Sequence, residues 1–89
     1  MISKFLFRYH SGKPQVIIGF ENNWGVSILL NPWSSNYDAA ILKTGEWDST
    51  QYFCFAPDLD EKEVLGAVGE KIVELLSEVS RRPVRKEPI

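Results

Sequence analysis

The stretch that most constrains this chain runs from Gln15 to Leu30, QVIIGFENNWGVSILL, where two apolar runs flank one short polar break. Val16-Ile17-Ile18 and Val26-Ser27-Ile28-Leu29-Leu30 are rich in β-branched residues, which suit a pleated, half-buried surface. Between them, Glu21-Asn22-Asn23-Trp24-Gly25 supplies residues that tolerate the positive φ of tight hairpin turns. The pattern predicts a central β-hairpin on which the other segments pack.

The flanking segments extend the same picture. Ile2 to Tyr9 alternates, with Phe5, Phe7 and Tyr9 on one face of a strand and Lys4, Leu6 and Arg8 on the other. His10-Ser11-Gly12-Lys13-Pro14 breaks it with a glycine and a proline. Asn31-Pro32-Trp33-Ser34-Ser35-Asn36 is a loop by its turn residues. Tyr37 to Lys43 reads as extended and turns at Thr44-Gly45, and a last strand is expected within Trp47 to Phe55.

A helix is predicted from Glu61 to Val79. Asp60 is a good N-cap, Glu63 completes a capping box, and Leu59 can staple to Val64. Val64, Leu65, Val68, Ile72, Leu75, Leu76 and Val79 fall on one stripe, with Gly69 at its margin and Glu63, Glu70 and Glu74 opposite. Past Ser80 the period stops at RRPVRKEPI, which two prolines mark as a frayed tail. The expected architecture is α+β: an antiparallel sheet of four to five strands with one C-terminal amphipathic helix packed across one face. Residues 1–80 make a single domain and 81–89 a flexible basic tail.

That architecture leaves a packing surplus. Consecutive apolar residues in the central hairpin, and Phe5-Leu6-Phe7, put hydrophobic side chains on both faces, whereas one helix covers one face. Loops, the tryptophan-bearing segments or a second copy must cover the other, and a homodimer is expected.

Charge is distributed unevenly. Residues 1–57 balance, residues 58–80 carry −5, and residues 81–89 carry +3, for a net −2 over 89 residues. The chain therefore reads as a neutral sheet, an acidic helix and a basic tail. No run approaches the ~18 apolar residues of a membrane span, and the N-terminus lacks the apolar core of a signal peptide. The single cysteine, Cys54, has no partner for an internal disulfide, which fits a reducing, cytoplasmic setting. Its neighbours Phe53 and Phe55 predict an inert thiol.

Most chemistries are set aside by residue content. His10 is the only histidine and sits beside a Gly-Pro turn, so a Ser-His-Asp hydrolase is not expected. One cysteine and one histidine far apart do not make a zinc site. Neither Gly19…Gly25 nor Gly66…Gly69 forms a phosphate-binding turn. The acid pairs Asp58/Asp60 and Glu46/Asp48 are explained by helix capping and by a turn. No enzyme, cofactor or metal is expected.

Binding features remain. Trp24 and Trp47 suit core filling, whereas Trp33, set among Asn, Pro and Ser, weighs equally as a partner contact. The acidic face of Glu63, Glu70, Glu74 and Glu78 offers a basic partner a surface, although such faces are commonly just solvated. Arg81, Arg82, Arg85 and Lys86 offer a nucleic-acid alternative through counterion release, without interleaved aromatics for stacking.

Three segments taken together have a recognisable form. Phe20-Glu21-Asn22-Asn23-Trp24-Gly25-Val26-Ser27-Ile28, Tyr37-Asp38-Ala39-Ala40-Ile41-Leu42-Lys43 with Gly45-Glu46, and Leu59-Asp60-Glu61-Lys62-Glu63-Val64 resemble a group of small accessory proteins of tailed phages and prophages. The group shows F-x-N-G-[YW]-G-x-S-[VI], A-[VI]-L-x-x-G-E and L-[TD]-E-x-E-V segments. The resemblance spans roughly residues 20–65; here Asn23 stands where the group has Gly, and the loop Pro32 to Asn36 lacks its glycines. It brings no assigned activity and no functional residue. It implies a phage or prophage accessory protein in the bacterial cytoplasm, acting by protein–protein binding as an inhibitor or modulator of a host or defence protein. A self-associating virion or assembly component is the further alternative.

Overall fold

The structure, a computed structural model, describes residues 2–47, 53–87 and 89. It contains β1 (Ile2–His10), β2 (Lys13–Phe20), β3 (Trp24–Asn31), β4 (Asn36–Trp47), β5 (Phe53–Pro57), β6 (Val64–Ala67) and α1 (Gly69–Ser80). All pairings are antiparallel, in the order β1-β2-β3-β4-β5, with β6 lying beside the first half of β4. The fold is the expected α+β arrangement, a sheet with a C-terminal helix across one face, and its sixth strand comes from residues assigned above to the helix.

Local chemistry sets each turn. Between β1 and β2 a two-residue loop, Ser11-Gly12, takes φ of 52° and 77°, the paired positive values of the turn that matches strand twist. Pro14 lies inside β2 opposite Tyr9 rather than in the break. Between β2 and β3 the Asn23 amide donates to the Phe20 carbonyl at 3.1 Å, and Asn23 itself sits at φ 66°. Asparagine tolerates the left-handed conformation better than other residues with a side chain, so it suits that position.

The helix start is corrected. Asp60 does not cap a helix: its amide donates to the Asp58 carboxylate at 3.0 Å, and the Glu61 amide to the Asp58 carbonyl at 3.1 Å. Asp58, which is buried, thus builds a turn, and Val64–Ala67 pairs with β4. Gly66 lies at φ 65° with its amide bonded to the Asp38 carboxylate at 2.9 Å, a conformation no helix interior holds. α1 begins only at Gly69, with Val68 as an N-cap that makes no side-chain bond. Leu65 and Val68, placed on the buried stripe from sequence, are exposed.

Register sorts the side chains. Phe5, Ile18, Val26 and Ile41 stand opposite one another across four strands, on the face where α1 packs over β3 and β4. Ile72, Leu75, Leu76 and Val79 of α1 join Ile18, Phe20, Val26, Ala39 and Ile41 in the main core. On the opposite face Ile17 and Leu42 form a second cluster with Leu6 of β1 and Phe55 of β5. Since β1 and β5 are the two ends of the strand order, the sheet curls enough for its end strands to meet through side chains. Curling buries the middle of that face, around Ile17 and Leu42.

Of the strand expected over Trp47 to Phe55, residues 48–52 lie outside the described residues, as does the side chain of Trp47. Cys54, expected among apolar neighbours, is exposed. No helix among the described residues is long and apolar enough to cross a membrane.

Candidate binding surface

The helix-side face is wider than the helix. α1 reaches β3 and β4, and β1 lies beyond it at the end of the sheet. Alternation therefore leaves Phe5, Phe7 and Tyr9 in a row on that face at 57%, 53% and 68% exposure, with Ile2 also exposed. Phe7 and Tyr9 meet edge to face, with ring centroids 5.7 Å apart and an interplanar angle of 80°. At ~200 Å² per aromatic side chain, the three rings alone show roughly 350 Å² of apolar surface to solvent. That is the size range of a monomer's largest, commonly functional, patch.

The same strand carries an ordered polar series on its other face. The Arg8 Nε donates to the Gln15 Oε1 at 2.7 Å, and the Gln15 Nε2 to the Ser27 Oγ at 2.8 Å. The Arg8 guanidinium also lies 5.4 Å from the Phe55 ring centroid. These residues line a cleft of about 380 Å³ with His10, Leu42 and Glu63 at its margins. His10 is exposed there, with one carboxylate, that of Glu63, along the same cleft. Among the described residues no three His, Cys, Asp or Glu side chains gather as a metal site requires.

Trp33 forms the tip of the β3–β4 turn at 91% exposure, its amide donating to the Asn31 Oδ1 at 3.2 Å. The topology sets that turn at the same end of the sheet as the β1–β2 turn, so Trp33 and Tyr9 share one end. Trp24, at the opposite end, is half-buried beneath arginines: the Arg82 Cζ lies 4.8 Å and the Arg85 Cζ 6.0 Å from its ring centroid.

Where a frayed tail was expected, the segment after α1 is held against the β2–β3 turn. The Asn22 Nδ2 donates to the Val79 carbonyl at 2.8 Å and the Arg82 carbonyl at 3.1 Å, and its Oδ1 accepts from the Trp24 amide at 3.1 Å. The Arg85 amide donates to the Asn22 carbonyl at 2.8 Å. The Arg85 side chain donates to the carbonyls of Asn23 at 3.1 Å, Thr44 at 3.0 Å, and Glu87. Arg82 pairs with Glu61 and Glu78, each at 2.9 Å. Burial works against its charge, but hydrogen bonds and the charges of Glu78 and Glu61 outweigh that and raise its pKa above the ordinary arginine value. Arginine packs through its stem and ring-stacking plane, so a basic tail need not be a free one.

The residues singled out in sequence are thus scattered. Trp33 is at a turn tip, Trp24 is under the C-terminal segment, and Glu63 is in the β5–β6 connection by the cleft. Glu70 and Glu74 are exposed on α1, and Glu74 contacts Lys71 at 3.8 Å. Of the four basic candidates, Arg82 and Arg85 are turned inward, while Arg81 and Lys86 are exposed. The row Phe5, Phe7 and Tyr9 was visible as one strand face; its exposure depends on strand order, which the alternation does not carry.

No family model, curated protein or solved structure matches this chain.

Proposed function

We propose that this chain is a non-enzymatic binding protein that engages another protein through the part of its sheet face that α1 leaves uncovered, centred on Phe5, Phe7 and Tyr9. The observation that carries this reading is the aromatic row itself, three adjacent large side chains each more than half exposed. Aromatic side chains bury much area at low entropic cost and dominate interface energetics. Trp33, at the Tyr9 end of the sheet, extends the contact surface. The resemblance to phage and prophage accessory proteins supports a host or defence protein of the bacterial cytoplasm as the target.

Arg82 and Arg85 are committed to Trp24, to acids and to backbone carbonyls, which leaves the nucleic-acid alternative with Arg81 and Lys86. The test is capture from bacterial lysate by the immobilised chain and by a Phe5→Ser, Phe7→Ser variant. A stoichiometric partner retained by the first and lost by the second is expected. Absence of any stoichiometric partner, or equal capture by both, overturns the reading.

A further inference from the structure

Among the described residues β1 pairs with β2 alone, so its outer edge has no strand bonded to it. Open edges invite pairing, and proteins blunt them with like charge. β1 carries Lys4 and Arg8 with His10 beside them, and no acid. A second copy is therefore a poor occupant. An antiparallel two-fold centred on Leu6, which would bring Phe5 against Phe7 of the other copy, also sets Lys4 opposite Arg8 twice. Like charges directly opposite destabilise strand pairs.

The same charges suit a different occupant. Arg8 is oriented by the Gln15–Ser27 series through its Nε alone. Its two Nη groups have no hydrogen-bond partner among the described residues. A guanidinium so held presents a fork that matches a carboxylate. We infer that β1 receives an extended segment of a partner protein as a further strand, with apolar side chains at alternate positions against Phe5, Phe7 and Tyr9 and acidic side chains between them, facing Lys4 and Arg8. Main-chain pairing gives such a complex its affinity, and the alternating side chains give it specificity. This inference rests on the reading of β1 as the binding face and adds the chemistry of what binds there.

The probes are two blocked peptides the length of β1, one alternating valine with glutamate and one alternating valine with lysine. Each is titrated into the isotope-labelled full chain while amide resonances are followed. The acidic peptide is expected to shift the β1 amides and to bind at least about tenfold more tightly than the basic one. Lys4→Glu with Arg8→Glu should reverse that preference, and Phe5→Ser with Phe7→Ser should abolish binding of both. If the charge-reversed variant does not fold, Arg8→Gln replaces it and should erase the preference. Equal binding of the two peptides, both sensitive to Phe5 and Phe7, overturns the acidic-strand inference and leaves the binding face standing. Binding indifferent to Phe5 and Phe7 overturns both. Failure of both peptides overturns strand addition, and so does a dimer in sedimentation that Phe7→Ser abolishes, since the occupant would then be a second copy.

Discussion

Asn22 is where two distant parts of the chain are tied together. Its amide bonds the Val79 and Arg82 carbonyls at the end of α1, and its carbonyl oxygen holds the Trp24 amide. The last carbonyls of a helix lack intrahelical partners, and here a turn side chain supplies one. Asn22→Ala strands buried polar groups and is expected to cost about 2–3 kcal/mol in urea unfolding. Thr44 is the reverse case: fully buried, with a hydroxyl that has no partner among the described residues. Thr44→Val keeps the shape and removes the unpaired group, so a gain of about 1 kcal/mol is expected in the same assay. Gly25 admits no side chain, because a Cβ would lie 2.6 Å from both the Ile18 carbonyl oxygen and the Thr44 Cγ2. Gly25→Ala is expected to lower stability by about 2 kcal/mol or more. The raised pKa of Arg82 bears on pH only at the alkaline extreme. A raised folded value stabilises fully below the unfolded value and is lost only as pH rises through the folded one.

At the scale of elements, the C-terminal segment behaves as a strap. Arg82 and Arg85 join it to Trp24, Asn22, Asn23 and Thr44 across the end of the sheet. Truncation after Ser80 removes these bonds together and is expected to cost at least about 2 kcal/mol in thermal or urea unfolding; unchanged stability would show a tail that contributes nothing. The hairpins were legible because Ser11-Gly12 and Asn22-Asn23 state their backbone needs in residue type. The start of α1 was not, because Val64, Leu65 and Val68 satisfy helical spacing as readily as β-branched strand content. Asp58 and Asp60 imitated a cap while building a turn, and the signal that could have separated the two was Gly66, three residues before Gly69. Which face of β1 stays exposed was illegible for a different reason. It follows from how many strands a twelve-residue helix spans, a property of strand order and not of any residue.

For the molecule as a whole, apolar surface is apportioned between folding and display. One face is covered by α1 over β3 and β4, the other carries the Ile17–Leu42 cluster with Leu6 and Phe55 packed against it, and the helix-side row on β1 is left over. We propose that this row serves contact with another protein and adds little to the fold. Urea unfolding of the Phe5→Ser, Phe7→Ser double variant tests it most directly. Side chains about half buried should together cost no more than about 2 kcal/mol, with the denaturant dependence unchanged. A loss of about 3–5 kcal/mol per phenylalanine, the cost of emptying a packed core, would mean that the row holds the protein together and would contradict the account.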